Sequence, residues 1–246
     1  MTIIDHTIPA TEATITTIER PRLQPVSFDL YRDVHKAIRV EMFAVVTNAG
    51  RLDASDECER VDVADQVESL VIFLRRHAEH EDGAIQAPLE QAAPDLAARV
   101  ADEHEVLEER MDHLVALANL LRRAPSMSAR AVAHELYLDL AAFASDYLAH
   151  QDFEERVIGQ VLDNAVGFDG LLALHGAILS TIPPQELFAS MALMFPAMNI
   201  DDRAEMLGGM RATAPAEVFE ATWSLARSVL AASDSRALAA RLDIQG

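Results

Sequence analysis

An all-α fold, an up-down-up-down four-helix bundle followed by shorter helices, is what this sequence predicts. Three observations predict it. The composition is helical: half of the residues are hydrophobic, only 5% are aromatic, and Gly and Pro number 9 and 10. Four long stretches carry apolar residues three and four apart, and short breaks separate them. Histidines and carboxylates then recur on those stretches in a repeated pattern.

The first 26 residues, with Pro9, Pro21 and Pro25, read as an arm without regular structure, and His6 there reads as incidental. Ser27 or Asp29 can cap a first helix that runs to about residue 48, with Leu30, Val34, Ile38 and Met42 on the face that carries His35. Asn48, Ala49 and Gly50 are read as its stop. The charged stretch over residues 53–65, which holds Cys58, reads as a loop. A second helix is expected over residues 61–86, where Val67, Leu70, Val71 and Leu74 lead into His77 and Glu81. Residues 87–94 read as a turn. A third helix is expected over residues 94–123, with Leu96, Val100, His104, Leu107, Met111 and Leu114 on one stripe, ended by Ala124 and Pro125. A fourth starts at Ser126 or Ser128 and runs to about residue 163, carrying Leu136, Leu140, Phe143 and Tyr147 toward His150 and Glu154. Short connections imply antiparallel neighbours.

From residue 164 onward the chain is more apolar and rich in Met. Pro183, Pro184, Pro196 and Pro215 are expected to open short helices. Met191, Met194, Met198, Met206 and Met210 read as core filling, and His175 and Trp223 as structural. The expected division is an arm over residues 1–26, a bundle over 27–163 and a helical extension over 164–246 packed on it. The extension is also the candidate homodimer contact.

A formal net charge of −20 argues against nucleic acid and against an anionic membrane surface. A single cysteine, Cys58, allows no intrachain disulfide and suits a reducing compartment. No basic segment followed by an apolar run opens the chain, and no uninterrupted apolar run of membrane length is seen. The expectation is a cytoplasmic protein.

The chemistry lies in His35, His77, His104 and His150, separated by 77 − 35 = 42, 104 − 77 = 27 and 150 − 104 = 46 residues. Two of them open the motif H-x-x-x-E: His77 with Glu81, and His150 with Glu154. The pattern of a histidine followed by H-x-x-x-E therefore occurs twice. Residues four apart differ by about 40° around a helix and lie one turn apart, so each pair can reach one ion. Imidazole and carboxylate suit iron, manganese or zinc. Two carboxylates also suit a two-metal site, because each can span both ions. A lone H-x-x-x-E is commonly a surface pair; two of them, each preceded by a further histidine, are not. His113, nine residues past His104, and His134, sixteen before His150, fall on other faces. His80 is 300° on from His77 and can approach only from outside the ligand set.

This series, with the surrounding text FLRRHAEHED, ADEHEVLEERMDHL and YLAHQDFEERVI, resembles the hemerythrin-like (HHE cation-binding) family over residues 27–163. The resemblance implies a four-helix bundle with a non-haem di-iron centre, oxo- or hydroxo-bridged. His35, His77, His104 and His150 would be terminal ligands, and Glu81 and Glu154 would bridge. Manganese and zinc rank behind iron. Oxygen-carrying hemerythrins have a fifth histidine one turn after the third-helix histidine; here that position is Glu108, a further candidate ligand. They also end on a carboxylate five residues after the last histidine; here Glu154 is four after His150 and Glu155 is five. These departures argue against reversible oxygen carriage. Ferritin-like bundles use Glu-x-x-His, an order absent at these positions.

Three functions stay open at this point. One is binding or reduction of dioxygen, peroxide or nitric oxide, with or without peroxidase- or catalase-like turnover. The second is an oxygenase or oxidase acting on a small organic substrate. The third is a non-enzymatic iron or oxygen sensor whose C-terminal segment responds to the centre.

Overall fold

The computed structural model describes residues 21–244, and they are helical throughout, with no strand among the described residues. Most of the expected arm, residues 1–20 with His6, lies outside the described residues. Helix α1 (Arg32–Arg51) is entered through Asp29, whose carboxylate accepts hydrogen bonds from the backbone N–H groups of Tyr31 and Arg32. Ser27 instead binds Asp163 through its backbone N–H and hydroxyl. Gly50 does not stop α1. It lies within the helix, where a Cβ would meet the Tyr137 ring at 2.9 Å, so its role is close approach.

Helix α2 (Glu57–Ala84) begins four residues earlier than its apolar periodicity suggests. The Asp56 side chain accepts from the N–H groups of Cys58 and Glu59, and Glu57 and Glu59 favour the positive end of the helix dipole. The stretch read as a loop is therefore largely a first turn, and Cys58 sits exposed in it as a free thiol. The expected turn after α2 is a short helix, α3 (Gln86–Ala92), anchored by the fully buried Leu89. Pro88 is tolerated because N–H groups of a first turn have no intrahelical partner.

Helix α4 (Pro94–Arg123) has the bounds its sequence predicts. The expected fourth helix is more complex. Helix α5 (Ser126–Phe153) passes into a π-helical turn (Glu154–Ile158) and then into α6 (Gly159–Thr181), which runs past residue 163 and breaks at Gly167, where φ is 65°. One eighteen-residue window in the helical run Ser126–Thr181 has mean hydropathy 1.3 and is 22% buried, long and apolar enough to cross a membrane by length and composition alone. No uninterrupted apolar run of membrane length marks this window in the sequence.

Beyond α6 come α7 (Pro184–Ala197), α8 (Ile200–Thr213), α9 (Ala216–Val229) and α10 (Ala232–Arg241). Pro184 and Pro215 open helices as expected, but Pro196 lies in the last turn of α7. Asn199 starts α8 by accepting from the N–H groups of Asp201 and Asp202.

Three apolar clusters result. The largest is shared by α1, α2, α4 and α5 and includes Ile38, Leu74, Leu107 and Phe143. A second, under α3, joins Tyr31, Leu89, Val100, Ile158 and Leu162. The third belongs to α7–α10 and centres on Phe195, Leu207 and Trp223, with Met191 buried and Met206 and Met210 packed against it. α7 packs on α1, α1 on α2, α2 on α4, α4 on α5 and α5 on α1.

Pairings between these helices run in opposite senses. On α1 and α2, His35 meets His77 and Asn48 meets Gln66. On α2 and α4, Asp65 meets Arg122, Arg75 meets Asp112 and Asp82 meets His104. On α4 and α5, Glu103 meets His150, Arg110 meets Asp146 and His113 meets Asp139.

Candidate metal centre

Four helices cross from the large apolar cluster to the cluster under α3, and on each of them the polar residues fall at the crossing. On α1, His35 lies between Tyr31 and Ile38; on α2, His77 and Glu81 lie between Leu74 and Ile85. On α4, His104 lies between Val100 and Leu107; on α5 and the π-helical turn after it, His150 and Glu154 lie between Tyr147 and Ile158. The layer is shielded by apolar packing on both sides. His35, His77, Glu81, His150 and Glu154 are buried, and the His104 side chain is 9% exposed.

The four Nε2 atoms point at one another. His35 Nε2 is 3.1 Å from His77 Nε2, and His104 Nε2 is 3.0 Å from His150 Nε2. Each carboxylate spans both pairs. Glu81 Oε1 is 3.2 Å from His77 Nε2, and its Oε2 is 3.8 Å from His104 Nε2. Glu154 Oε1 is 3.1 Å from His150 Nε2, and its Oε2 is 3.5 Å from His35 Nε2. Ligand atoms of His35, His77, Glu81 and Glu154 lie within 4.8 Å of one another, as do those of His104, His150 and Glu154.

The donor set tests well for a cation. Glu81 Oε2 and Glu154 Oε2 are buried without a hydrogen-bond partner. An unpaired buried acceptor of this kind costs on the order of 1–3 kcal/mol, and more when charged. The imidazole Nε2 atoms, acceptors when the ring proton sits on Nδ1, and the carboxylate oxygens converge in this buried layer. An ion between them would give the two unpartnered carboxylate oxygens a partner.

Outer contacts fix the rings. His35 Nδ1 faces Glu155 Oε1 at 3.0 Å, and Arg39 donates to the same oxygen at 2.7 Å. His104 Nδ1 faces Asp82 at 2.8 Å. His150 Nδ1 faces Glu103 at 2.8 Å, and Glu103 is held in turn by Arg99, whose guanidinium lies 3.6 Å over the Phe153 ring. A carboxylate on Nδ1 sets the tautomer that turns Nε2 inward. The π-helical turn holds both glutamates, and its wider turn lets these consecutive residues serve two parts of the site, Glu154 facing the histidines and Glu155 behind His35.

Protonation follows these surroundings in the metal-free chain. Burial pushes the Glu81 carboxyl well above the usual range, and the nearby Glu154 carboxylate adds to this. Burial acts on Glu154 in the same direction, but the His150 and His104 imidazoles outweigh it and hold Glu154 well below the usual range. Burial lowers His77 well below its ordinary value. Burial also disfavours the His150 cation, but Glu154 and Glu103 outweigh it and raise His150 to about 9. Burial opposes ionisation of Glu155, yet His35 and Arg39 bring it down to about 2.

All six residues expected as ligands from the repeated motif come together here. Glu108 does not: it is exposed, because the stripe that carries His104 inward continues through Leu107 and Met111. The fifth-histidine position of the oxygen carriers therefore faces solvent, and Glu108 lies outside the two groups of converging ligand atoms. His113 is 59% exposed against Asp139, and His134 is exposed. His175 packs against Phe28, with ring centroids 5.1 Å apart. Asp82, Glu103, Tyr31 and Tyr147 were not singled out as site residues from the sequence. Asp82 and Glu103 adjoin ligands in the chain but serve histidines on other helices, so no single-helix pattern reveals them. Tyr31 and Tyr147 lie one turn before His35 and His150; burial and then the Glu81 and Glu154 carboxylates raise both phenols well above their ordinary range.

Beside this layer is a cavity of about 10 Å³ lined by Tyr31, Glu81, His104, Glu154 and apolar residues that include Ile85 and Leu89.

The Hemerythrin HHE cation binding domain family matches residues 26–162, more than half of the chain. The chain belongs to this family. Its match ends just short of the α6 break, so α7–α10 lie outside it. No curated protein and no solved structure matches the chain.

Proposed function

We propose that this hemerythrin-family chain is a non-haem di-iron protein that binds or reduces dioxygen, peroxide or nitric oxide. The observation that carries the reading is the pair of buried carboxylates, Glu81 and Glu154, each spanning two histidine pairs with an oxygen left unpartnered. In this reading His35 and His77 would hold one ion, His104 and His150 would hold the other, and Glu81 and Glu154 would be shared between them. The opposed pairings along α1, α2, α4 and α5 support an up-down-up-down bundle as the scaffold, with residues 164–246 as an appended helical extension. Two iron ions would supply redox equivalents and a coordination position for a small ligand.

The chain's own part is selection and shielding. The two apolar clusters exclude bulk water from both sides of the polar layer. The cavity of about 10 Å³ has room for about one water molecule, which favours a diatomic or peroxide ligand over an organic substrate. Asp82, Glu103 and Glu155 hold the imidazoles in register. The direct test is anaerobic reduction of iron-loaded protein, followed by mixing with dioxygen, peroxide or nitric oxide and recording visible absorption. Rapid spectral change with all or any of the three supports the reading; spectra that respond to none of them refute it.

A second reading, a sensor, rests on a separate observation. Arg32 and Lys36, flanking His35 on α1, pair with Asp202 of α8, and Arg76, adjacent to His77, pairs with Glu186 of α7 at 3.2 Å. The extension thus grips the outside of the two helices that carry one histidine pair. Hydrogen exchange in α7 and α8 that differs between iron-loaded and iron-free protein supports sensing; identical exchange removes it.

A further inference from the structure

The cavity beside the histidine layer is poor in hydrogen-bond donors, and that shortage singles out one residue. Glu81 and Glu154 offer only acceptor oxygens once ionised. The His104 ring is committed at Nδ1 to Asp82 and turns Nε2 toward the carboxylates. Gln86, which also lines the cavity, already donates its amide to Glu90 and to the Ala97 carbonyl. Ile85 and Leu89 contribute no polar group.

Tyr31 is different. It is 2% exposed, it lines the cavity, and among the described residues no hydrogen bond ties its hydroxyl. Its position is fixed from three directions. Its N–H donates to Asp29 at 3.1 Å, its carbonyl accepts from His35 N–H at 2.9 Å, and its ring packs on His35 with centroids 5.2 Å apart. A phenol held this firmly in the cavity wall is placed to donate to something that enters the cavity.

We propose that the Tyr31 hydroxyl is the hydrogen-bond donor to a small anionic ligand seated in the cavity beside Glu81, Glu154 and His104. The proposal rests on the metal-centre reading, which places one end of that ligand on the ion. Tyr31 then grips the other end, and it selects ligands that carry negative charge or accept a hydrogen bond over neutral ones of the same size. The apolar remainder of the cavity gives no alternative donor, so the discrimination depends on this one residue.

Two diatomic probes separate this role from mere packing. Cyanide is an anion and a good acceptor; nitric oxide is neutral and a poor one. Both are titrated into iron-loaded wild-type protein and iron-loaded Tyr31→Phe, after iron content and thermal stability of each have been measured. Loss of a hydrogen bond to a charged ligand is expected to weaken cyanide binding about tenfold or more, while nitric oxide binding changes by less than about twofold. Unchanged cyanide affinity in Tyr31→Phe overturns the proposal. So does a parallel loss of both ligands, which assigns Tyr31 a packing role. A wild-type chain that retains no iron overturns the metal-centre reading itself and this proposal with it, an outcome the iron measurement separates from the other two.

Discussion

The two H-x-x-x-E motifs are equal in sequence and unequal in structure. His77 and Glu81 lie within regular α2, deep between the apolar clusters, and no carboxylate among the described residues reaches His77 Nδ1. His150 and Glu154 straddle the start of a π-helical turn; His150 is anchored by Glu103, and Glu155 reaches across to His35. Their protonation differs accordingly. In the metal-free chain burial pushes His77 toward its neutral form and Glu81 toward its protonated form, whereas His150 is raised to about 9 and Glu154 is held well below the usual carboxylate range. A repeated motif thus supplies the ligands twice, but the surroundings make one half pre-charged and hydrogen-bonded, the other desolvated and neutral.

The largest expected effect removes the carboxylate that belongs to both groups of converging ligand atoms. Glu154 approaches His35, His104 and His150, so Glu154→Ala should empty both positions and leave iron content near zero. His77→Ala and His150→Ala should also lose iron, while His113→Ala and His134→Ala keep it. Equal iron loss in all four histidine variants would show that the face assignment is wrong.

A medium effect sharpens the asymmetry. Glu103→Gln removes the carboxylate behind His150 and should weaken iron binding by about tenfold or more. Replacing Glu79, an exposed residue near His77, should do nothing of the kind. Competitive chelator titration measures both, and equal affinities for wild type and Glu103→Gln would remove the anchoring argument.

The charged half also predicts a pH signature. His150 is raised from 6.5 to about 9 in the folded, metal-free chain, so it holds a proton at pH 7 that a metal must displace. Iron loading near pH 7 in weak buffer should release that proton, and loading above about pH 9 should release less from this group. In sign, the contribution of His150 to the stability of the metal-free protein is fully present below pH 6.5 and is lost as pH rises through 9. Proton release that is independent of pH across this window contradicts the assignment.

The smallest effect belongs to Glu108. It is exposed, so Glu108→Ala should leave iron content and visible spectrum unchanged. A spectral shift would return it to the site.

Much of this centre was legible in the sequence because helical spacing is rigid. Four apart on one helix means one face, and that alone places His77 with Glu81 and His150 with Glu154. The off-phase positions of His113 and His134 follow from the same rule. Contacts made across helices were not legible: Asp82 serves His104 and Glu103 serves His150, pairings that depend on how the helices pack. Local hydrogen-bond chemistry was missed where it overrode periodicity. Asp56 starts α2 inside a stretch that reads as a loop, and Leu89 buries a short helix where Pro88 suggests a turn. The π-helical turn had no visible signal, although two adjacent glutamates after His150 are what it uses. Glu108 is a candidate only through the family's fifth-histidine position; on α4 it is exposed, while Leu107 and Met111 fill the interior.

The central claim is that two ions share Glu81 and Glu154. Iron quantified per chain, together with X-ray absorption of the same sample, tests it most directly. The account predicts two irons per chain, with a metal–metal distance of about 3.5–4 Å and a nitrogen and oxygen shell without sulfur. A single iron per chain, no bound iron, or iron without a second metal scatterer would contradict it.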